Sequence, residues 1–366
     1  MIRVLQCMGT ADCGGVSSVI LNYLRHINLD KYHFDVVLTA GEPGTDGKQM
    51  QELGAEFYRL PLKSVDLQGF RKGLFKLLTE ERFDVIHVNG NLTGFVALQV
   101  AKRAGVKCRI AHSHAAPDVH GVMPYCKKIV FNALNCLFAT KLIGCGKKAG
   151  EYAFGKWGMR LKKAIVLPNA IETERFAFDP TIRDEVRREL GFDGRYILGC
   201  VARLAPEKNI GFALEFMRLI HQKNPNIALV LAGDGEDREE LVNYVNMNNM
   251  NDYVVFLGMR TDVTRLYQAF DGCILPSIFE GFPVVAVEAM ASGLPLFLSD
   301  RITDELKFGS FVQYLPLDAA TWSEAILNRA RTDETPLRAE RIEEIRDAGF
   351  DIKQTVHILE RIYDGE

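Results

Sequence analysis

The sequence contains little of what marks disulfide-stabilised or intrinsically disordered proteins. Its eight cysteines are scattered without a Cys-x-x-Cys pair, and several lie in apolar runs, including Cys200 and Cys273. Cysteines in such positions are typical of the reduced, buried thiols of a cytosolic protein. Hydrophobic residues make up 48% of the chain and charged residues 25%, a balance that excludes a disordered chain.

Long apolar runs are missing as well. A membrane-spanning helix needs about 18 uninterrupted apolar residues, and the longest candidate, 129–145, is interrupted by Asn132, Asn135 and Lys141. The apolar run at 1–7 is too short for a signal peptide and predicts a first strand instead. We therefore expect a cytoplasmic protein.

The net charge of −3 hides an uneven distribution. Residues 1–165 contain 23 Lys and Arg against 13 Asp and Glu, a charge of +10, whereas the remainder carries −13. Halves that differ this much suggest different partners. The basic residues concentrate at Lys127, Lys128, Lys141, Lys147, Lys148, Lys156, Arg160, Lys162 and Lys163.

Within this basic segment, apolar residues repeat at helical spacing: Ile129, Val130, Ala133, Leu134, Leu137 and Phe138. Two explanations remain open. The apolar face could pack into the core of the protein, or an amphipathic helix with basic flanks could rest on an anionic membrane surface.

Strand-like apolar runs alternate with helical patterns along the whole chain. The first predicted helix has apolar residues at i, i+3, i+4, i+7, i+8 and i+11 from Val16. A second series begins at Tyr196, with strand-like runs at 197–202, 228–232, 254–257, 273–275 and 294–298. Such alternation implies parallel sheets with crossover helices, and two series imply two doubly wound α/β lobes.

The length of 366 residues favours two domains. We predict an N-terminal lobe at 1–171, a polar linker at 172–195, a second lobe at 196–340 and a helical tail at 341–366. Within the linker, 183–190 could form a short helix. Ligands of open α/β sheets bind outside the carboxyl ends of the strands, so two facing lobes would enclose a central cleft.

Two carboxylates, Glu280 and Glu288, lie eight positions apart. Gly281, Phe282 and Pro283 between them cannot form a helix interior, because proline fixes φ and lacks an N–H. We therefore predict a loop that carries Glu280, and then a helix from about Pro283 that carries Glu288 inward. The free N–H groups at such a helix N-terminus suit a phosphate.

This Glu-x(7)-Glu pattern resembles the signature of glycosyltransferase family four, which comprises retaining nucleotide-sugar glycosyltransferases with the two-lobed GT-B fold. Three further segments are similar to family motifs and occur in the family order: Gly14-Gly15-Val16, 167–176 and 201–209. In the second of these, Ala170 and Glu172 replace the Gly and Asp of the family. The resemblance implies a GT-B fold in which the C-terminal helix returns to the first lobe.

The resemblance also implies roles for single residues. Arg203 and Lys208 would bind the donor diphosphate, the former as a fork for two oxygens and the latter as a point charge, and would stabilise the charge that develops on the leaving group. A surface ion pair, for example with Glu207, is the alternative. Glu280 would bind hydroxyls of the donor sugar.

Further donor contacts are implied around the helix N-terminus. The backbone of Gly281, Phe282, Pro283 and Val284 would help to hold the diphosphate. Glu288 would accept hydrogen bonds from the ribose. The alternative is a helix residue that complements the dipole, but the apolar surroundings of Glu288 favour a buried carboxylate with a defined partner. Gly15 would let the backbone approach phosphate or sugar closely.

His112-Ser113-His114 ends a predicted strand, and alternation places both histidines on one face. By resemblance, His114 is the catalytic-site histidine of the first lobe and would bind a donor or acceptor hydroxyl. Zinc ligation with His120 is conceivable, but no Cys or carboxylate cluster completes such a site. His112 could equally be a core histidine, and we interpret His87, at another strand end, as structural.

Metal and cofactor motifs are missing too. There is no Asp-x-Asp motif of metal-dependent transferases, and Gly14-Gly15 is not the full Gly-x-Gly-x-x-Gly fingerprint of a dinucleotide site. We expect neither a metal nor a cofactor. The loop at 299–305 departs from the family's Gly-Gly-x-x-Glu and resembles the version in bacterial exopolysaccharide and capsule enzymes, which leaves the donor sugar open.

We interpret the chain as a retaining, metal-independent glycosyltransferase of exopolysaccharide or capsule synthesis. Its expected donor is a nucleotide diphosphate sugar, most simply a UDP-sugar, and its expected acceptor is a glycan or a polyprenyl-diphosphate-linked sugar. No nucleic-acid partner is expected. A nucleotide-sugar epimerase of similar fold and a non-catalytic nucleotide-sugar-binding subunit are the alternatives, and the combination of Arg203 and Lys208 with Glu280 and Glu288 favours transfer.

Overall fold

The computed structural model describes residues 1–12, 15–116, 119, 121–161, 163–309 and 311–366. The chain divides into two compact units: unit 1 comprises Met1–Ile171 and Gly349–Glu366, and unit 2 comprises Glu172–Ala348. The predicted linker at 172–195 is wrong, because these residues are an integral part of unit 2. The predicted tail also begins too early, since 341–348 belongs to unit 2 and the return to unit 1 begins at Gly349.

The strands are β1 Ile2–Met8, β2 Tyr32–Leu38, β3 Phe57–Arg59, β4 Val85–Val88, β5 Cys108–Ser113, β6 Lys141–Gly144, β7 Ile165–Val166, β8 Tyr196–Val201, β9 Ile227–Ala232, β10 Val254–Gly258, β11 Gly272–Leu275, β12 Leu296–Ser299 and β13 Val312–Leu315.

The helices are α1 Gly15–His26, α2 Thr45–Glu52, α3 Leu67–Glu81, α4 Phe95–Arg103, α5 Val122–Phe138, α6 Lys147–Leu161, α7 Pro180–Leu190, α8 Ile210–Lys223, α9 Arg238–Met247, α10 Val263–Ala269, α11 Val284–Ala291, α12 Ala319–Arg329, α13 Arg341–Asp347 and α14 Ile352–Tyr363. Short 3₁₀ turns occur at Asn91–Gly94, Thr173–Phe176, Pro206–Lys208 and Thr335–Leu337.

Within the described residues each unit has one parallel sheet. The order in unit 1 is β3-β2-β1-β4-β5-β6-β7, and the order in unit 2 is β10-β9-β8-β11-β12-β13. In both sheets the first strand of the series lies inside and the order reverses beside it, which is the doubly wound arrangement. The predicted α/β class with two such sheets is confirmed.

Sequence patterns predicted most of the strands and missed β3, β6, β7 and β13. The runs that became β1, β8, β9, β10, β11 and β12 were predicted, with ends that differ by one or two residues, and the strand-end histidines of β4 and β5 were identified. The missed strands β3, β6, β7 and β13 have only two to four residues. Strands β3, β7 and β13 lie at sheet edges and are only partly buried, so they lack the continuous apolar run of a buried parallel strand.

Local signals explain why the supposed linker folds as helix α7. Pro180 occupies the first helical turn, where its missing N–H costs nothing, and the Asp179 side chain caps the helix by accepting from Thr181 N at 2.8 Å. Gly191 ends the helix with a φ of 69°. Arg187 then pairs with Asp271 at 2.9 Å, which fastens α7 to the rest of unit 2.

Each sheet is covered by apolar faces of its helices. In unit 2 the core includes Phe216 and Met217 from α8 and Trp322 from α12, all fully buried. The Trp322 ring stacks on Phe216 with a centroid separation of 5.2 Å, and its indole N–H donates to Pro316 O at 2.8 Å. None of the helices in the described residues is long and apolar enough to cross a bilayer.

Candidate functional site

The sheet of unit 2 collects the predicted donor residues at one edge. Strands β8, β11 and β12 are neighbours and run parallel. Their carboxyl ends therefore lie together. Arg203 and Lys208 follow β8, Glu280 follows β11, and the loop at 299–305 follows β12.

Lys208 and Glu280 meet as a direct ion pair between Nζ and Oε1. Both side chains are largely buried, with 18% and 14% of their surface exposed. The fully buried Ser277 also donates to Glu280 Oε1, at 3.1 Å. The sequence placed both residues in the site but did not predict that they contact each other.

The loops after β8 and β11 are joined by further hydrogen bonds. Ile278 N donates to Glu207 O at 2.9 Å, and the Asn209 amide donates to Pro276 O at 3.2 Å. Asn209 has a φ of 55°, a left-handed conformation that asparagine tolerates. These bonds fix the separation of Lys208 and Glu280 independently of their charges.

Arg203 differs from Lys208 because its side chain is 62% exposed and pairs with Glu207 at 2.6 Å. This is the surface ion pair that the sequence offered as the alternative to phosphate binding. The turn after β9, at Gly233, packs closely against the loop that carries Arg203. A Cβ at Gly233 would lie 1.9 Å from Ala202 O, so a side chain there cannot be accommodated.

The predicted helix behind Glu280 is confirmed. α11 begins at Val284, with Pro283 as its N-cap, and Phe282, Pro283 and Val284 are buried while Gly281 is partly exposed. The N-terminus of α11 therefore lies directly after the loop of Glu280. Its first backbone N–H groups have no intrahelical acceptor and carry the positive end of the helix dipole.

Glu288 projects from α11 and accepts a hydrogen bond from the Tyr267 hydroxyl at 2.9 Å. Burial raises the pKa of Glu288 to about 7, although the bond from Tyr267 and the charge of Arg175 act in the opposite direction. Glu288 therefore has a defined polar partner, beyond any interaction with the helix dipole. Nothing near Glu288 in the sequence identified Tyr267 as that partner.

Arg338 holds the elements that carry Tyr267 and Glu288. It is 2% exposed and donates to the carbonyls of Tyr267 and Phe270 at 2.9 Å each, at the end of α10. It also donates to Ser292 O at 2.9 Å, directly after α11. One guanidinium thereby satisfies the last carbonyls of two helices.

In unit 1 the structure brings three histidines together. His87 Nε2 contacts His112 Nδ1 at 3.0 Å, and the rings of His112 and His114 have centroids 3.9 Å apart. Burial lowers the pKa of His87 to about 3 and of His114 to about 4, and it lowers that of His112 well below its usual range. All three rings are therefore neutral at pH 7.

Two hypotheses for unit 1, the Gly-Gly turn and zinc ligation, fall partly outside the described residues, because Gly14 and His120 are not among them. The described residues contain no group of three or more His, Cys, Asp or Glu side chains suited to a metal. Gly15 begins α1, and a Cβ there would meet no described atom within 4 Å. Packing within the described residues therefore does not require glycine at this position.

Helix α5 buries polar residues and exposes apolar ones, the opposite of the usual amphipathic helix. Its outward face is apolar, and Val122, Ile129, Val130 and Leu137 are between 52% and 82% exposed. The core-packing explanation for Ile129, Val130, Ala133 and Leu137 is therefore wrong, while Leu134 and Phe138 are partly buried. The buried residues of α5 are Asn132 and Asn135, which are 9% and 0% exposed.

The two asparagines explain the reversal. Asn135 Nδ2 donates to Leu92 O at 3.1 Å, and the Asn132 amide, oriented to suit its neighbours, donates to Ala153 O and accepts from Gly155 N. Gly155 interrupts α6 with a φ of 69°. The buried side of α5 thus satisfies backbone groups freed by a break in α6.

A cavity of about 930 Å³ lies between α5 and α6. Its walls include Tyr125, Ile129 and Ala133 from α5 and Trp157 and Leu161 from α6. Trp157 is 77% exposed and Leu161 69% exposed. We call the exposed apolar side chains of α5 and α6, with this cavity, the apolar surface of unit 1.

The raised pKa of Glu288 predicts a pH-dependent stability. The folded protein holds this proton to a higher pH than the unfolded chain, so the stabilising contribution is complete below about pH 4.5 and is lost as pH rises through about 7. Glu288→Gln lacks this loss. The free energy of unfolding of Glu288→Gln minus that of wild type should therefore increase by about 2 kcal/mol over that interval. This figure allows for the partial exposure of Glu288.

Urea unfolding at pH 4.5 and 7.5 measures this difference. A Trp157→Phe background restricts the fluorescence signal to the buried Trp322 of unit 2. Glu215→Gln, at an exposed position on α8, is the matched control and should follow wild type at both pH values. A Glu288→Gln variant with the pH dependence of wild type would contradict the assignment.

Two protein families match the chain, one in each unit. Residues 14–170 match the family described as "Glycosyl transferase 4-like domain", and residues 182–304 match "Glycosyl transferases group 1". The chain is 32% identical over 371 residues to EpsF of Bacillus subtilis (strain 168), a protein assigned to the glycosyltransferases, with 99% of this chain and 96% of that protein covered.

A second relative is an Escherichia coli enzyme named UDP-Gal:alpha-D-GlcNAc-diphosphoundecaprenol alpha-1,3-galactosyltransferase, 30% identical over 296 residues, which cover 78% of this chain and 76% of that one. Among solved structures, HepE of Anabaena in complex with UDP superimposes with a TM-score of 0.83 at 18% identity, over 100% of both chains. The predicted GT-B fold is thus confirmed, and the chain belongs to glycosyltransferase family four.

Proposed function

We propose that this glycosyltransferase transfers a sugar, with retention of configuration, from a UDP-sugar to a lipid-linked glycan during polysaccharide assembly. The observation that carries the proposal is the Lys208–Glu280 pair beside the N-terminus of α11. The E. coli relative is named for a UDP-galactose donor and a diphosphoundecaprenol-linked acceptor, and HepE was solved with UDP-glucose. These names support the choice of donor and acceptor.

The basic residues stabilise the leaving group in this proposal. A nucleoside diphosphate gains negative charge as the glycosidic bond breaks, and preorganised cations and N–H dipoles lower the barrier most where charge develops. Lys208 is held by the loop bonds around it, whereas the exposed Arg203 can turn from Glu207 to the diphosphate. The backbone at Gly281–Val284 supplies the helix N-terminus.

The two acids have separate tasks. Glu280 binds hydroxyls of the donor sugar, and its pairing with Lys208 keeps the carboxylate beside the diphosphate position. Glu288 accepts hydrogen bonds from the ribose, with Tyr267 orienting its carboxyl group. In unit 1, His114 binds a donor or acceptor hydroxyl, and Gly15 allows a close approach of the backbone. The proposed transfer needs no metal.

Arg203→Ala and Lys208→Ala should each weaken UDP binding and leave uridine binding nearly unchanged. A charge-assisted hydrogen bond contributes about 1.5–3 kcal/mol, so each loss should raise the dissociation constant for UDP roughly ten- to hundredfold. Calorimetric titration with both ligands tests this. Lys223→Ala, at the exposed end of α8, should bind both ligands like wild type. Equal losses for UDP and uridine would remove the two residues from the diphosphate site.

Glu280→Gln should keep the fold and bind UDP at least as well as wild type, because Lys208 loses its competing anion. Sugar transfer should fall about 100-fold, the scale of losing one preorganised polar contact in a transition state. Product formation from UDP-sugars measures the change, with Glu215→Gln as the control for charge.

Wild-type turnover in Glu280→Gln would exclude Glu280 from the mechanism. The same assay after EDTA treatment tests metal independence, and activity that is abolished by EDTA and restored by Mn²⁺ would overturn it. Acceptor-dependent release of UDP separates a transferase from a non-catalytic binding subunit.

We further propose that unit 1 attaches reversibly to an anionic membrane surface, where a lipid-linked acceptor would reside. The apolar surface of unit 1 is flanked by exposed basic residues: Lys127, Lys147, Lys148, Lys156, Arg160 and Lys163. Such a combination suits an interface between acyl chains and anionic headgroups. Each nearby Lys or Arg contributes about 1 kcal/mol of attraction, screened over ~8 Å at physiological salt.

Sedimentation with vesicles tests the attachment. The protein should bind vesicles that contain phosphatidylserine at low salt, bind neutral vesicles weakly, and dissociate at high salt. The double change Ile129→Ser and Val130→Ser should weaken binding without unfolding, because both side chains are exposed. Met247→Ser, which alters an exposed side chain of unit 2, is the control. Equal partitioning onto neutral and anionic vesicles would refute the electrostatic part.

A further inference from the structure

Buried polar side chains from distant parts of the sequence meet on one side of the unit 1 sheet. Gln6 on β1 lies opposite His87 on β4 in the parallel register, and His112 lies on the next strand, β5. Tyr363 ends α14 and packs edge-on against His87, with ring centroids 5.9 Å apart. Gln6, His87, His112 and Tyr363 are each no more than 3% exposed.

Tyr363 is the centre of a continuous set of hydrogen bonds, which we call the tyrosine–histidine chain. Its hydroxyl accepts from Gln6 Nε2 at 3.0 Å and contacts His87 Nδ1 at 2.8 Å. His87 Nε2 in turn contacts His112 Nδ1 at 3.0 Å.

The other branch of the chain reaches His114. Asn89 Nδ2 donates to Gln6 Oε1 at 3.0 Å, and Asn89 Oδ1 contacts His114 Nε2 at 2.8 Å. With the Asn89 amide in this orientation, its oxygen can only accept, so His114 carries its proton on Nε2. A neutral ring in this tautomer has an acceptor lone pair on Nδ1.

Each hydrogen bond in the tyrosine–histidine chain then has a defined donor and a defined acceptor. Gln6 donates to the Tyr363 oxygen, so the hydroxyl proton of Tyr363 is directed to His87 Nδ1. His87 is then protonated on Nε2 and donates to His112 Nδ1, which leaves the His112 proton on Nε2. All three neutral histidines therefore have the same tautomer, and Tyr363 links their two branches.

We propose that Tyr363 is a positioning residue for His114. Its hydroxyl orients the Gln6 amide, the Gln6 oxygen orients the Asn89 amide, and the Asn89 oxygen holds the His114 ring protonated on Nε2. The inference rests on the proposed function of His114 in binding a sugar hydroxyl. A fixed tautomer makes Nδ1 the acceptor atom of the ring, and Nδ1 is buried without a hydrogen-bond partner among the described residues.

Tyr363→Phe removes the hydroxyl that holds the Gln6 and Asn89 amides in these orientations. Gln6 loses its acceptor and can rotate its amide, after which Asn89 can present its NH₂ group to His114. Such a rotation would exchange donor and acceptor at the ring. We expect a mixture of tautomers at His114 and His87 and a fall in kcat of about tenfold, the scale of one lost hydrogen bond.

Tyr32→Phe is the matched control. The Tyr32 hydroxyl also fastens α14, through Asp364 Oδ1 at 2.9 Å and Glu360 O at 3.1 Å, but it makes none of the bonds of the tyrosine–histidine chain. Its loss should loosen the C-terminal helix while leaving the histidine tautomers and kcat unchanged. Urea unfolding of both variants shows whether each is folded under the assay conditions.

Long-range ¹H–¹⁵N spectra of the full chain labelled at histidine nitrogens report the tautomers directly. Wild type should show His87, His112 and His114 protonated on Nε2, and Tyr363→Phe should change His114. Wild-type tautomers in Tyr363→Phe, or the same change in Tyr32→Phe, would overturn the positioning of His114 by Tyr363. Turnover of His114→Gln is measured separately. Wild-type turnover there would refute the proposed role of His114, and the spectra would still decide what holds its ring.

Discussion

Parallel strand pairing is the constraint on which the rest of this structure depends. In a parallel sheet every strand ends on the same edge, so each loop that follows a strand brings its side chains to that edge. In unit 2 this places Lys208, which follows β8, beside Glu280, which follows β11, across 72 residues of sequence. In unit 1 it places His87 beside His112. Both candidate groups follow from the sheet order before any helix is considered.

The buried polar groups of the protein depend on partners far away in the sequence. Arg338 satisfies carbonyls at the ends of α10 and α11, and thereby positions Tyr267 against Glu288. Asn132 and Asn135 satisfy the backbone around the break in α6. An unsatisfied buried polar group costs about 1–3 kcal/mol, so these partners fix the elements as firmly as apolar packing does. The exposed apolar face of α5 is a consequence, because its asparagines have to face inward.

Much of the fold could be predicted because hydrophobic period and turn chemistry are local signals. The strands β1, β4 and β8 and the start of α11 at Val284 were predicted from such signals. The assignment of 172–195 as a linker failed because its polar composition suggested a connection between lobes. The short helix expected at 183–190 does occur, and it begins earlier, at Pro180, after the Asp179 cap. The apolar repeat in α5 correctly indicated a helix, but a repeat cannot say which side faces the core.

The sequence by itself determined the class of fold, the family, and the choice of Arg203, Lys208, Glu280 and Glu288 as candidate donor residues, because motif spacing and motif order can be recognised without a structure. Only the tertiary structure decided their partners. The pairing of Lys208 with Glu280, of Glu288 with Tyr267, and of Tyr363 with His87 each joins different elements of the chain. Such contacts are set by strand order and helix packing, which bring together residues that no local pattern relates.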